Sequence, residues 1–260
     1  MDMIVNPLVG SLTWHALFFL FCVAIIAGTV DTLAGGGGLL ALPALMMSGI
    51  PPLWALGTNK FQGSVGTATA SWIMIRSGRL SYKQVRPLML GSLIGAVLGT
   101  LLVQQLHTSW LEWIVPVVLA VIAGYFLLAP RPVENTGKPN CSTKLYRRVV
   151  VPLIGGYDGF FGPGTGSFFA LAGVSLRGLS LVEATAVAKT LNCASNVASL
   201  VIFLLGGHVI WLAAMVMLVG QMIGAWLGAH ALFRINPKYL RYLVVTMSLL
   251  MLARYLVHIL

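Results

Sequence analysis

The sequence contains very little charge for its length. Of its 260 residues, 16 are Lys or Arg and 6 are Asp or Glu, which together make 8% of the chain, against roughly a quarter in soluble domains. Hydrophobic residues make up 58% and the mean hydropathy is +0.92. A water-soluble globular protein needs more polar surface, and a disordered chain contains fewer apolar residues, so both classes are excluded.

Cysteine is also scarce. Only Cys22, Cys141 and Cys193 occur, they are widely spaced, and there is no CxxC pair. The five histidines show no metal-ligand spacing. We therefore expect no metal site, no disulfide framework and no cofactor, and we do not expect an enzyme.

What the sequence has instead is a series of long apolar runs. Such runs are predicted to be helices, because backbone polar groups in lipid must be satisfied within their own segment. The predicted fold is an all-α polytopic membrane protein, and a polar stretch at 130–148 is interpreted as a linker. The apolar segments are 12–30, 39–50, 55–75, 85–104, 110–129, 149–161, 165–176, 184–205, 208–233 and 239–260.

The basic residues predict the orientation in the membrane. Thirteen of the 16 Lys and Arg fall at 76–86, in the linker, at Arg177 and at 234–241, and the positive-inside rule places them in the cytoplasm. The linker is then cytoplasmic and both termini lie outside. The positive-inside rule thus accounts for the net charge of +10, so no nucleic-acid partner is predicted.

An internal repeat divides the chain. Residues 91–99 and 220–228, which are 129 apart, share six of nine residues, and Asp31 matches Asp158 at a shift of 127. We predict a first transmembrane repeat at 1–129, the linker at 130–148 and a second repeat at 149–260. Because the halves start on opposite sides, the prediction is an inverted-topology repeat of two five-segment halves with Gly-broken helices, as in many secondary transporters. A duplicated fold without transport is the alternative.

Two carboxylates stand beside the glycine-rich breaks of this repeat. Asp31 precedes the glycines at 35–38, and Asp158 precedes the glycines at 162–166. A charged group inside an apolar segment indicates function by default, whereas a carboxylate that caps the restarted helix is the alternative. We assign Asp31 and Asp158 to proton coupling or to fixing the breaks.

Helix starts and two lysines supply candidate anion-binding groups. Free backbone N–H groups at a helix start suit an anion, and Lys60 and Lys189 occupy matching repeat positions. Each lysine could instead pair with an Asp or snorkel to the interface. The GxxxG spacings at 91–99 and 220–228 are assigned to helix packing. The predicted substrate-binding residues are Lys60, Lys189, Asn59, Asn192, Asn196, Gln62, Gly36, Gly37, Gly164 and Thr165.

Several motifs resemble one known family. They are DTLAGGGG at 31–38 with Pro43, GTNK at 57–60, YDGFFGPG at 157–164 with GSF at 166–168, and AKTLN at 188–192. With these motifs the chain resembles the sulfite exporter TauE/SafE (TSUP) family of membrane transporters, and within it the YfcA-like branch. The resemblance implies a multi-pass protein of the bacterial inner (plasma) membrane, with about eight crossings against the ten apolar segments counted here. It also implies sulfite, sulfonates or other organosulfur or organic anions as substrates.

The expected function is a secondary transporter, an exporter of a small anion, that works by alternating access at a midplane site between the two Gly-rich breaks. Its expected partners are the anion, the lipid bilayer and coupling protons, and a homodimer is left open. A passive anion channel with the same electropositive pore is the main alternative. An intramembrane aspartyl protease, which needs two carboxylates close together, and a scaffold subunit are further alternatives.

Overall fold

The computed structural model describes residues 12–76, 80–128 and 139–231, together with the single positions 246, 249, 253 and 257. All regular structure in these residues is helical. The predicted segment at 239–260 and the linker residues 130–138 lie outside the described ranges. The helices are α1 (Trp14–Ala34), α2 (Gly38–Met47), α3 (Pro52–Arg76), α4 (Tyr82–Gln104), α5 (Thr108–Leu128), α6 (Thr143–Leu145), α7 (Val151–Phe160), α8 (Thr165–Arg177), α9 (Leu181–Leu205) and α10 (Trp211–Ala231), with a π-helical segment, Tyr146–Val150, between α6 and α7.

Five of these helices are long and apolar enough to cross a membrane. The candidate spans lie in α1, α4, α5, α9 and α10. Large apolar side chains are exposed along them, including Leu98 at 63%, Val121 at 65% and Trp226 at 62%. Apolar surface of this kind is stable only in contact with lipid or another apolar surface, so the chain is a helical membrane protein.

The short helices are separated from their neighbours at glycines. α1 ends at Gly35, whose φ of +73° lies in the left-handed region, and α2 begins three residues later. α7 and α8 are separated by a stretch in which Gly162 and Gly164 have φ values of +95° and +82°. Glycine enters this region without a steric penalty because it has no Cβ. Helix ends and positive φ values thus occur at glycines in both stretches.

The end of the predicted linker is helical, which the sequence interpretation did not anticipate. α6 begins at Thr143, where the Ser142 hydroxyl accepts a hydrogen bond from the Leu145 N–H (3.2 Å) and caps the helix start. The π-helical segment then leads directly into α7. Basic residues such as Lys144 and Arg148 are exposed on this stretch, which explains its polar composition.

The described helices form two compact units. The first contains α1, α2, the beginning of α3 through Gly63, α5 and α10. The second contains α3 from Ser64 onward, α4 and the helices from α6 to α9. This division differs from that of the predicted repeats, since each unit draws helices from both halves of the sequence.

In the first unit, α10 packs against α1 through glycines. A Cβ at Gly224 would overlap the Ile25 carbonyl oxygen, and one at Gly28 would lie 2.5 Å from the Gln221 carbonyl oxygen. The Thr29 hydroxyl donates across the contact to the Gly224 carbonyl (3.0 Å). The backbones approach so closely that no side chain fits between them.

In the second unit, α4 packs against α7 in the same way. A Cβ at Gly95 would overlap the Pro152 carbonyl oxygen, and one at Gly155 would overlap that of Ser92. The Thr100 hydroxyl donates to the Gly159 carbonyl (3.0 Å). The prediction that the GxxxG glycines serve helix packing is confirmed.

These two glycine contacts use corresponding residues. Gly224 is 129 residues after Gly95, and Pro152 is 127 residues after Ile25, so the partners differ by the two shifts that define the sequence repeat. The repeated sequence thus forms a repeated packing contact, once within each unit.

Candidate functional site

The first candidate cluster lies in the first unit, on α3. Lys60 is only 1% exposed, and its neighbours Thr58, Asn59 and Gln62 are also buried. The ammonium therefore does not extend to the surface of the protein, as snorkelling would require. Such a group is costly in an apolar environment unless polar partners surround it.

Hydrogen bonds arrange the side chains around Lys60. The Gln62 Nε2 donates to Asn59 Oδ1 (3.0 Å), so the Asn59 amide nitrogen is not part of this hydrogen bond. No donor among the described residues reaches the buried Gln62 Oε1. The Thr58 hydroxyl is occupied differently, because it accepts the Ile210 N–H (3.0 Å). The Asn59 amide nitrogen is thus not part of the bond with Gln62, and the Gln62 Oε1 remains an acceptor that no described donor reaches.

The second candidate cluster lies in the second unit, on α9. Lys189, Asn192 and Asn196 are each 7% exposed and follow one face of the helix. The Asn196 Nδ2 donates to Asn192 Oδ1 (3.2 Å), which leaves the Asn192 donors free of this bond. An ammonium beside an amide pair therefore occurs in both units.

The sequence interpretation missed residues that support this second cluster. The Ser71 hydroxyl on α3 donates to the Lys189 carbonyl oxygen (3.0 Å), and the Thr67 hydroxyl donates to the Ser64 carbonyl one turn earlier (3.2 Å). Ser64, Thr67 and Ser71 are all buried. They recur at i, i+3 and i+7, which is also the spacing of Lys189, Asn192 and Asn196. This periodicity could have identified them from the sequence as one polar helix face.

The first glycine break lies against α1. Gly36 and Gly37 are buried, and a Cβ at Gly37 would come within 2.6 Å of the Ala27 carbonyl oxygen and 2.8 Å of the Asp31 Cβ. Asp31 is half-buried, and its carbonyl accepts the Gly35 N–H (2.9 Å) that ends α1. The Asp31 side chain therefore begins close to Gly37, and the role predicted for its carboxylate at the break stays a prediction.

The second glycine break has its own internal hydrogen bonds. The Thr165 hydroxyl donates to the Gly162 carbonyl (2.7 Å), so its proton is not available to an anion. The Gly164 carbonyl accepts the N–H groups of Ser167 and Phe168 in the first turn of α8. Asp158, in the helix before the break, is 1% exposed. The Tyr157 hydroxyl, another residue that sequence reasoning missed, donates to the Pro163 carbonyl and spans the break.

The site residues predicted from sequence thus fall into two groups. Asp31, Lys60, Asn59, Gln62, Gly36 and Gly37 belong to the first unit, and Asp158, Lys189, Asn192, Asn196, Gly164 and Thr165 belong to the second. Within each unit the structure describes a buried lysine, an amide pair, a carboxylate and a glycine break. The assignment of these residues to substrate stays a prediction.

Comparison with known proteins supplies the family. The family described as sulfite exporter TauE/SafE matches residues 20–255. A Haemophilus influenzae protein named "Probable membrane transporter protein" is 41% identical over 92% of this chain and 93% of its own length. "Probable membrane transporter protein ORF9" of a Sinorhizobium species is 42% identical over 95% and 94%. "Probable membrane transporter protein YfcA" of Escherichia coli K12 is 41% identical over 91% and 88%. No solved structure is significantly similar to the chain.

The family match covers nearly the whole chain, the three relatives each match more than nine-tenths of it, and the described helices are those of a membrane protein. The chain therefore belongs to the sulfite exporter TauE/SafE family of membrane transporters.

Proposed function

We propose that the chain is a secondary transporter of the bacterial inner membrane that exports a small anion, such as sulfite, a sulfonate or another organosulfur or organic anion. Transport proceeds by alternating access, and the anion binds to the donors around Lys60 and Lys189. The family name and the relatives' names as membrane transporters support the general function. The choice of anion and the direction rest on the family description.

The observation that carries this proposal is the burial of two ammonium groups in apolar helices. Lys60 and Lys189 are 1% and 7% exposed in a chain with only six acidic residues. A buried cation needs compensating charge or dipoles. Asn59 directly precedes Lys60, and Asn192 lies one turn after Lys189. In each asparagine the side-chain oxygen accepts a hydrogen bond, and the amide nitrogen is not part of that bond. A small oxyanion accepts hydrogen bonds from an ammonium group and from an asparagine amide.

We further propose that the two halves of the sequence form an inverted repeat with broken helices. Support comes from the corresponding glycine contacts of Gly95 with Pro152 and of Gly224 with Ile25. The positive-φ glycines between α1 and α2 and between α7 and α8 add further support. In this arrangement Asp31 and Asp158 occupy equivalent positions beside the breaks. We assign them to proton coupling, since a carboxylate within a membrane segment can take up and release a proton.

A flux measurement in proteoliposomes tests the proposed function. The purified full-length chain is reconstituted, and radiolabelled sulfite is followed with and without a proton gradient. A transporter gives sulfite flux that saturates with concentration and accelerates with the gradient. A sulfonate and a small carboxylate, tested as competitors, define the anion class.

The alternatives predict other results. A passive channel gives a flux that rises linearly with sulfite concentration and follows only the gradient of the anion itself. Flux no greater than in protein-free liposomes, for every anion tested and at every proton gradient, would contradict the proposal. The variant Lys83→Gln, reconstituted in the same way, serves as the control, because Lys83 is exposed at the start of α4 and has no proposed role in binding the transported anion.

A further inference from the structure

Seven basic side chains of the second unit lie at a few helix ends. They occupy the end of α3 and the start of α4, the α6 and π-helical segments, and the last turn of α8. Five are exposed, and Arg147 and Arg177 are half-buried. We call this set the basic end: Arg76, Lys83, Arg86, Lys144, Arg147, Arg148 and Arg177.

Packing brings these helix ends together. Tyr146, at the start of the π-helical segment, is 2% exposed and belongs to a buried cluster against which Leu88 of α4 and Leu176 of α8 pack. The Cys141 N–H donates to the Leu176 carbonyl (3.1 Å). The Arg177 guanidinium donates to the Cys141 carbonyl (2.7 Å) and lies 5.9 Å from the centre of the Tyr146 ring. The first turns of α4, the segment before α7 and the end of α8 therefore meet at one end of the second unit.

Little negative charge opposes the basic end. The acidic residues of the second unit in its described part are Asp158, which is buried within α7, and Glu183 at the start of α9. The Glu183 carboxylate is engaged by the Ser180 N–H (3.1 Å) and hydroxyl (2.9 Å) in a capping box. Positive charge on this surface is thus largely uncompensated.

Aromatic side chains place the basic end at the level of lipid headgroups. Trp72 and Tyr82 are 59% and 53% exposed, and the Arg76 guanidinium lies 4.9 Å from the centre of the Trp72 ring. Exposed Trp and Tyr at the ends of membrane helices occupy the interface between hydrocarbon and water. Lysines and arginines beside them are at the depth of the lipid phosphates.

From this juxtaposition we propose that the basic end is a binding surface for anionic phospholipid headgroups, which it selects over zwitterionic ones. The exposed guanidinium groups of Arg86 and Arg148 donate to phosphate oxygens in the bidentate geometry that arginine favours, and Lys83 and Lys144 add charge. The extra negative charge of a phosphatidylglycerol headgroup, which phosphatidylcholine lacks, determines the selectivity. This surface is separate from the buried lysines and does not depend on the transported anion.

The test measures lipid binding to the full-length chain in detergent by native mass spectrometry, with phosphatidylglycerol and phosphatidylcholine as probes. The variant Lys83→Gln/Arg86→Gln/Lys144→Gln/Arg148→Gln removes four exposed charges and spares Arg177, which holds Cys141. We expect wild-type protein to prefer phosphatidylglycerol. We expect the variant to lose about fivefold in affinity for it per charge removed, with phosphatidylcholine binding unchanged.

The matched control exchanges the basic residues without changing the charge: Lys83→Arg/Arg86→Lys/Lys144→Arg/Arg148→Lys. It should keep the preference for phosphatidylglycerol. If the four-residue Gln variant does not fold, the pair Lys144→Gln/Arg148→Gln is expected to lose about 25-fold. Equal binding of the two lipids by wild-type protein, or wild-type affinity in the Gln variants, would overturn the proposal. So would displacement of phosphatidylglycerol by equimolar glycerol phosphate, which would indicate a site for a soluble anion.

Discussion

At the level of single residues, the buried polar side chains show which groups serve structure and which remain available. The Ser92 hydroxyl is fully buried and donates to the Leu191 carbonyl (2.9 Å), so it joins α4 to α9. The Gln62 Oε1 and the Tyr146 hydroxyl are buried with no partner among the described residues. A buried polar atom without a partner has a stability cost.

Tyr146→Phe therefore tests whether that hydroxyl has a role in the fold. Since it has no partner in the described structure, its removal should leave stability unchanged or raise it by about 1 kcal/mol. Ser92→Ala, which breaks a buried hydrogen bond, should lower stability by a similar amount. Thermal unfolding in detergent measures both. A large destabilisation by Tyr146→Phe would mean that the hydroxyl is hydrogen-bonded in the native protein.

Sequence reasoning reached part of the candidate site and missed the rest for a physical reason. Lys60 and Lys189 stand out because a charge in an apolar run is expensive. Ser64, Thr67 and Ser71 do not, because small hydroxyl residues bond to their own helix backbone and are common at helix contacts. Their position beside Lys189 depends on tertiary packing, which one sequence does not specify.

At the level of helices, most of the helix ends and close helix contacts that the sequence predicts are predicted from its glycines. The glycine runs predict breaks after α1 and before α8, and the structure has positive φ values at Gly35 and Gly164. The GxxxG runs predicted close packing but not the partner helices, which proved to be α7 and α1. The helical start of α6 was missed because its exposed basic side chains resemble those of a polar linker.

Gly95→Ala and Gly224→Ala should destabilise the protein, although alanine favours helices more than glycine does. The added Cβ would overlap a carbonyl oxygen of the neighbouring helix at either position, and overpacking of this kind costs about 1–3 kcal/mol. Gly124→Ala is the matched control, because a Cβ there meets nothing within 4 Å; it should be neutral or stabilising. Thermal unfolding that shifts equally for all three variants would contradict the packing account.

At the level of the whole molecule, the sequence predicts orientation more directly than the structure describes it. The positive-inside rule, applied to Lys and Arg in short loops, predicts that the segments at 76–86 and 130–148 lie in the cytoplasm. The described helices contain the same basic residues at exposed positions such as Lys83 and Arg148. The number of segments that cross the membrane fully depends on α2, α7 and α8, because these helices are shorter than a standard membrane span.

Labelling of single cysteines in intact cells tests this orientation. In a chain with Cys22, Cys141 and Cys193 replaced by Ser, the exposed position Thr143→Cys should react with a membrane-impermeant maleimide only after the cells are opened. The exposed position His107→Cys should react in intact cells, since its turn carries no Lys or Arg. Labelling of both positions from the same side would contradict the predicted topology.

The central claim is that an anion binds to the two buried lysines, and its most direct test is the affinity of the purified chain for radiolabelled sulfite. The near-isosteric variant Lys60→Gln/Lys189→Gln removes both ammonium charges. We expect an affinity loss of at least tenfold, because a hydrogen bond to a charged group is worth roughly 1.5–3 kcal/mol. Lys83→Gln/Lys144→Gln, at exposed positions, should bind sulfite as the wild type does. Wild-type affinity in the Lys60→Gln/Lys189→Gln variant would contradict the account.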